Sequence, residues 1–284
     1  MPVPPEDPRR SPLDASALTR AVGRSRWRLE VVAQSPSTNA EVAARARARE
    51  PAGLVLVADH QTSGRGRLDR SWLTPPGAAL TFSVLVAPDE VPVSRWPWLP
   101  LLTGLAVVDG IRTATGLPAS LKWPNDVLLD VGTEQAKTAG ILVERVEVAG
   151  RATAVVGVGL NVSADRDELP VPTATSLALA GAVDLDRGAL LVAVLAGFAR
   201  RYDDWCAAGG GGVRDGYVAA CSTLGRPVRV ELPRGDPLVG RAVGLDEDGR
   251  LLVEDGRRTH RLGAGDVVHV RPSPGGAGDR MPAW

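Results

Sequence analysis

Lysine is nearly missing from this chain of 284 residues: Lys122 and Lys137 are the only two among 33 basic side chains. A position that keeps lysine in an arginine background has use for a compact, mobile ammonium that a planar guanidinium does not supply. Methionine is as scarce, confined to Met1 and Met281, so neither lysine has a methionine near it. Two cysteines, Cys206 and Cys221, are too few for a disulfide framework or a zinc site. The formal net charge is zero, which excludes a whole-chain electrostatic grip on nucleic acid or an anionic membrane. No apolar run reaches the roughly 18–20 residues of a membrane-spanning helix. No signal peptide is evident either, and with so few sulfurs the expected compartment is cytoplasmic.

The length suits one large unit with a smaller one, and a hydrophobic fraction of 44% fills a sizeable core. Residues 1–26, rich in proline, arginine and serine, read as a mobile leader. The pattern then predicts strands over Arg28–Val32, Gly53–Ala58 and Ala79–Val86. Thr38 and Glu41, at capping-box spacing, open a helix to about Arg49. A second helix covers Leu99–Thr115 and stops at Gly116. Short strands are predicted near Ser120–Trp123 and Val127–Leu129. Longer ones, Ala139–Val148 and Thr153–Val162, should form an antiparallel hairpin. A long amphipathic helix runs from about Arg187 to Cys206, broken by the glycines at 209–212. Beyond Leu224, strand-like pieces at Val228–Leu232, Leu238–Leu245, Leu251–Glu254 and Val267–Val270 predict a small β-barrel. Residues 273–284 read as a disordered tail. Strands and helices do not alternate regularly, so α+β is expected instead of a doubly wound fold. The predicted units are 1–26, 27–223, 224–272 and 273–284.

The chemistry concentrates in a loop from His60 to Gly77. Gly64-Arg65-Gly66-Arg67, followed by Arg70-Ser71-Trp72, crowds three guanidiniums into a few positions. The glycines let the backbone approach a ligand and offer N–H groups to an anion. Arg65, Arg67 and Arg70 are suited to clamp phosphate or carboxylate oxygens, and Trp72 either covers a flat ring such as adenine or packs in the core. Ser37-Thr38-Asn39 lies just before a helix, where helix capping and ligand contact are both open. Gln61 either orients a polar ligand group or is plain surface. In Leu121-Lys122-Trp123-Pro124-Asn125-Asp126 the proline forces an extended approach and a turn. Asn125 and Asp126 either make that turn or bring a carboxylate to Mg²⁺ or an attacking amine. Asn161, after Gly157-Val158-Gly159-Leu160, either meets a base edge or metal-bound phosphate or closes a turn.

Together with Lys137…Gly140-Ile141-Leu142-Val143-Glu144, these motifs stand in an order and spacing that resemble the biotin protein ligases. They span residues 37–162, and a weaker likeness extends to about residue 271. The resemblance implies an α+β, class II synthetase-like catalytic fold, a mixed sheet with helices on one side, plus a small C-terminal SH3-like β-barrel. It implies ATP- and Mg²⁺-dependent activation of biotin to biotinyl-5′-AMP, then transfer to one lysine of a biotin carboxyl carrier domain in a biotin-dependent carboxylase. On that basis Ser37, Thr38, Asn39, Gln61, Gly64, Arg65, Gly66, Arg67, Lys137 and Gly140 would bind biotin. Arg65, Arg70, Trp72, Lys122, Asn125 and Asn161 would bind ATP. Lys137, Arg67, Asp126 and Lys122 would be catalytic, with Lys137 beside the carboxylate and α-phosphate and Asp126 accepting the incoming lysine's proton. Metal ligands are left unassigned. Where the family commonly carries Arg-Gly, this loop has Leu68-Asp69, which predicts altered geometry at its tip and altered retention of the adenylate.

The stretch before Ser37 is too short for a DNA-binding winged helix of roughly 60 residues. The expectation is therefore a monofunctional ligase with no DNA and no membrane partner, a homodimer being one option. Two alternatives stay open. A lipoate or octanoyl transferase shares the fold and carrier-lysine chemistry, but its usual arginine/glycine-rich signature is missing. An arginine-loop RNA-binding module is disfavoured by zero net charge and sparse aromatics.

Overall fold

The computed structural model describes residues 7–269, apart from 24, 69, 149, 233–235 and 264. Its strands are β1 (Arg28–Ser35), β2 (Leu54–Gln61), β3 (Gly64–Arg65), β4 (Ser71–Trp72), β5 (Ala79–Val86), β6 (Ala119–Lys122), β7 (Asp126–Val131), β8 (Glu134–Val148) and β9 (Arg151–Asn161), followed by β10 (Pro227–Glu231), β11 (Leu238–Leu245), β12 (Leu251–Glu254), β13 (Thr259–Leu262) and β14 (Asp266–His269). The helices are α1 (Ala15–Val22), α2 (Thr38–Arg47), α3 (Trp98–Thr115), α4 (Arg187–Ala207) and α5 (Arg214–Ala220). The main sheet has the order β1-β2-β5-β9-β8-β7-β6. β1 is parallel to β2, and the remaining pairs are antiparallel.

Strand side chains alternate between faces, and here both faces are covered. Val55, Val57, Leu80, Phe82, Val156, Val158 and Leu160 join α3 and α4 in the main core. Leu54, Leu56, Leu85 and Val155 turn the other way, against Val42, Ala43 and Ala46 of α2. The long helices thus share one face, as expected, while the short α2 lies on the opposite one. The expected stop of α3 at Gly116 is present, with Gly116 in the left-handed region at φ 72°. The C-terminal strands form a separate antiparallel sheet, β13-β12-β11-β10-β14. Trp123, fully buried, ties the two sheets together by donating its indole N–H to Gly249 O at 3.0 Å.

Several elements depart from the sequence expectations. Within the expected leader, Asp14 caps α1, Leu18 is buried, and the buried Arg187 guanidinium donates to Ser11 O at 2.7 Å and Asp59 Oδ1 at 2.8 Å. Residues 7–23 are therefore structured and packed, not a leader without structure. The helix is amphipathic, but at eight residues it is too short for its periodicity to stand out among the surrounding proline, arginine and serine. α5 and β13 are equally short and escaped the pattern. Residues 1–6 and the expected tail at 273–284 lie outside the described residues.

Candidate active site

At the α2 face of the sheet, β8 and β9 offer glycine instead of side chains. A Cβ on Gly157 would stand 2.1 Å from Asn39 Oδ1, one on Gly159 2.5 Å from Trp72 Cε2, and one on Gly140 3.2 Å from Lys137 Nζ. These three positions are a floor that only glycine leaves open to close approach. Above it lies a cavity of about 1540 Å³, lined by Ser37, Thr38, Asn39, Gln61, Arg65, Gly66, Arg67, Arg70, Trp72, Lys122, Asn125, Asp126, Lys137, Gly140 and Asn161. Gly64 instead backs onto Gln61, where a Cβ would meet Nε2 at 2.9 Å, and faces a smaller depression behind the loop.

One end of the cavity is a buried polar cluster. Ser37, not Thr38, caps α2, accepting from Ala40 N–H at 3.4 Å. Thr38 is thereby freed: its backbone N–H and hydroxyl donate to Gln61 Oε1 at 2.8 and 3.0 Å. Ser83 Oγ lies 2.7 Å from Thr38 Oγ1 and 2.6 Å from Asn39 Oδ1. Asn39 Nδ2 donates to Glu144 Oε2 at 2.9 Å and Leu142 O at 3.2 Å. Gln61, 7% exposed, is no surface residue; its amide fixes the start of the helix.

The other end carries the charge. The pairing of β7 with β8 slips between Val127/Ala139 and Leu128/Lys137, leaving Thr138 as the extra residue of a β-bulge. Without it, Lys137 would share the core-facing parity of Ala139 and Ile141, both buried in the main cluster. The bulge turns Lys137 to the floor side instead, where Nζ sits 2.6 Å from Asp126 Oδ1. Lys122 Nζ approaches the other carboxylate oxygen at 3.8 Å. Both lysines of the chain therefore converge on one aspartate. Asn125 Nδ2 donates to Ile141 O at 3.1 Å and its Oδ1 accepts from Arg67 Nη1 at 2.8 Å. Asn161, almost buried, spends its amide N–H on Thr175 O at 3.0 Å.

The arginine loop is folded as a small hairpin of β3 and β4. Arg65 faces Glu144 at 3.3 Å, and Arg70 pairs with Asp266 of β14. Burial pulls the proton affinity of Arg67 down, while Asp126 and Asp266 push it back up; a guanidinium so placed remains a cation at neutral pH. Leu68, exposed at the tip, adopts φ 54°, a left-handed conformation that costs a side-chain-bearing residue about 1 kcal/mol. Its neighbour Asp69 lies outside the described residues. Trp72 rests over Gly140 and Gly159 with its indole N–H buried and without an acceptor. His269, also in the lining, lies 3.2 Å from Thr223 Oγ1, and burial with Lys122 and Arg226 nearby lowers its imidazole to about 4.

Sequence reasoning missed Ser83, Thr138, Asp266 and His269, and named Glu144 without a role. Ser83 carried a usable signal, a serine inside the apolar strand Ala79–Val86. Asp266 and His269 belong to a distant strand and carried none.

Sequence profiles of known families match at two places: the biotin/lipoate A/B protein ligase family over residues 31–161, and the biotin protein ligase C-terminal domain over residues 223–270. The biotin–[acetyl-CoA-carboxylase] ligase of Mycobacterium tuberculosis is 43% identical, over 92% of this chain and 97% of that protein. The bifunctional ligase/repressor of Bacillus spizizenii is 32% identical, over 88% of this chain and 75% of its own. Among solved structures, the biotin protein ligase from Aquifex aeolicus in complex with biotin and ATP superposes with a TM-score of 0.71 at 30% identity, covering 86% of this chain and 99% of that one.

Proposed function

The chain belongs to the biotin protein ligase family, and from that premise we propose that its cavity condenses biotin with ATP to biotinyl-5′-AMP and passes the biotinyl group to a lysine of a carboxylase carrier domain. The observation that carries this reading is the meeting of Lys137, Lys122 and Asp126 beside a glycine floor whose other end is the cluster of Thr38, Asn39 and Gln61.

The geometry supports a role for each residue. Hydroxyl and amide groups of Ser37, Thr38, Asn39 and Gln61 suit a polar head group held at the buried end. The biotin carboxylate then points to Lys137. In adenylation a carboxylate oxygen attacks the α-phosphorus, the bond to the β-phosphate oxygen breaks, and pyrophosphate leaves. Carboxylate and triphosphate repel each other, so fixed positive charge at the point of attack does most of the work. Lys137, oriented by Asp126, supplies it there; Arg65, Arg67 and Arg70 hold phosphate oxygens, with Lys122 and Asn125 alongside. Arg70 would exchange Asp266 for the nucleotide. Trp72 and Asn161 border the space for the base. In the second step the carrier lysine's amine attacks the acyl carbon, the bond to the phosphate oxygen breaks, and AMP leaves. Asp126 is placed to accept the amine's proton. The hairpin over the cavity keeps water from the mixed anhydride.

Mg²⁺ belongs to the same proposal. Among the described residues no three His, Cys, Asp or Glu side chains gather as a metal cluster. Asp126 is already engaged by two lysines. The donor set therefore fits an ion carried mainly by the triphosphate, as is usual for Mg²⁺. There it would offset phosphate charge. We further take 27–223, with residues 7–23 packed onto it, as the catalytic unit and 224–272 as an appended one, a division supported by the second profile beginning at residue 223. Cys206 and Cys221 are both free thiols, which suits the reducing cytoplasm of this reading.

The test is biotin-dependent exchange of pyrophosphate into ATP by the purified chain with Mg²⁺, with lipoate run in parallel. Exchange with biotin and not with lipoate supports the reading. No exchange with biotin, or exchange with lipoate alone, removes it.

A further inference from the structure

The N-terminal segment is tied to the cavity wall that adjoins Lys137. Arg10 forks onto Glu168, Nη1 donating to Oε1 at 2.9 Å and Nη2 to Oε2 at 2.6 Å, and Nη2 also donates to Ser163 O at 3.0 Å. That hydrogen bonding holds the Glu168 carboxyl below its usual range. The backbone of Arg10 lies so close over Gly77 that a Cβ there would stand 2.5 Å from Arg10 O. Next along the chain, Ser11 O accepts from the buried Arg187, and Leu13 N–H donates to Asp59 Oδ1 at 3.2 Å. Arg10 is thus fixed to the body of the protein and reaches out from it.

What it holds is the start of a stretch that ends at the catalytic lysine. Glu168 closes a capping box with Asp165. Arg166 Nη1 donates to Ala174 O at 2.8 Å, folding the stretch onto itself. At the far end Lys137 N–H donates to Thr173 O, and Thr175 N–H to Lys137 O, both at 2.8 Å. Between these ends Pro170, Val171, Thr173 and Ala174 line the cavity.

We propose that Arg10 is a positioning residue for the reaction: by gripping Glu168 and the Ser163 carbonyl it fixes the wall over residues 166–175 and, through that wall, the strand that presents Lys137. The proposal rests on the reading that this cavity binds ATP and biotin. Arg10 itself touches no reacting atom. A guanidinium fork fixes orientation as well as distance. A wall released at that end opens more often, and the apparent affinity for nucleotide falls with the fraction of closed molecules. Once the cavity is filled, the ligand orders the wall, so the chemical step itself changes little.

The experiment compares the full chain with Arg10→Ala, Glu168→Gln and Arg10→Lys. Arg28→Ala is the control, since the exposed Arg28 side chain pairs with Glu50 and not with Arg10, Asp7 or Glu168. Amide hydrogen exchange is measured without ligands, and pyrophosphate exchange is measured against ATP concentration. Arg10→Ala and Glu168→Gln should speed exchange across 166–175 about fiftyfold, leaving the wall mostly open without ligand. They should raise KM for ATP about fivefold with kcat within about twofold. Arg10→Lys should restore part of the protection, and Arg28→Ala should change neither readout. Unchanged protection in Arg10→Ala overturns the proposal, as does faster exchange with an unchanged KM or a loss carried by kcat. If the wild-type chain shows no pyrophosphate exchange, the functional reading fails and the positioning role falls with it, while hydrogen exchange still decides whether Arg10 holds the wall.

Discussion

Gly157→Ala adds one methyl group at the point where the floor meets the buried polar cluster. Its Cβ would stand 2.1 Å from Asn39 Oδ1, 2.8 Å from Cγ and 3.1 Å from Nδ2, so the asparagine side chain has to leave. The backbone beneath Asn39 gives little relief, because the first turn of α2 is held by the Ser37 cap and by Gln61. Moving the amide breaks its bonds to Glu144 and Leu142 O and its contact with Ser83. One partner is charged and two are neutral, which gives a gross loss of about 3 kcal/mol, reduced to about 2 kcal/mol as water re-pairs the exposed groups. That loss lowers the folding stability, and because the displaced amide no longer reaches a biotin head group, one buried ligand hydrogen bond of about 2 kcal/mol goes with it, making the Kd for biotin about thirtyfold weaker. Titration calorimetry of biotin against wild type, Gly157→Ala, Asn39→Ala and the double variant measures it. The clash needs the Asn39 side chain, so the double variant should bind no worse than Asn39→Ala alone. Additive losses in the double variant, or a Kd for Gly157→Ala within about threefold of wild type, would refute the argument.

Lys137→Arg keeps the charge but not the compact ammonium packed against Asp126 and Gly140; pyrophosphate exchange should fall about a hundredfold, in line with loss of one charge-stabilising donor, and near-normal exchange would contradict the role given to this lysine. His269 titrates at about 4 in the folded protein against an ordinary 6.5, so below 6.5 the unfolded chain takes up the proton first. Its contribution is complete above about 6.5 and is lost as pH falls toward 4, by about 2 kcal/mol after allowance for partial solvent access; urea midpoints of wild type and His269→Gln across this window check it, and identical acid limbs would exclude the effect. Lys122 and Lys137 are the only internal lysines and both are paired with Asp126, so escaping biotinyl-AMP should modify the N-terminal amine and little else. Peptide mass spectrometry after incubation with ATP and biotin tests this, and substantial biotin on either internal lysine would count against it.

How much of this was legible in the sequence depends on the range of the interaction concerned. β5, α3, α4 and β9 appear within two residues of where the pattern put them, whereas β8 begins at Glu134 and not at Ala139, so the part of the strand that carries Lys137 and the bulge was missed. α1, α5 and β13 are short, with 8, 7 and 4 residues, so too few turns or alternations exist for a pattern to stand out. The site followed the same division. Ser37, Thr38 and Asn39 were marked by their place before a helix, though the capping box was set one residue too far on, while local chemistry left Gln61 open between ligand contact and surface. Ser83 was marked only as a polar residue in an apolar strand, and the Arg70–Asp266 pair and the Arg10–Glu168 fork join partners more than a hundred residues apart, which no local pattern records.

Lys137 shows where the two kinds of information meet. Its rarity marked it in the sequence, yet simple alternation through Ala139 and Ile141 would have pointed it into the core. A single unpaired residue, Thr138, reverses that parity. Thr138 is itself fully buried, its hydroxyl donating to Asn161 O at 3.3 Å, so the bulge is anchored to β9 at the residue that also holds Thr175. The same backbone contacts that bind Lys137 to Thr173 and Thr175 then fasten the cavity wall to it. An ammonium at this position depends on register, bulge and wall together. Its chemistry is local, but its aim is a property of the whole fold.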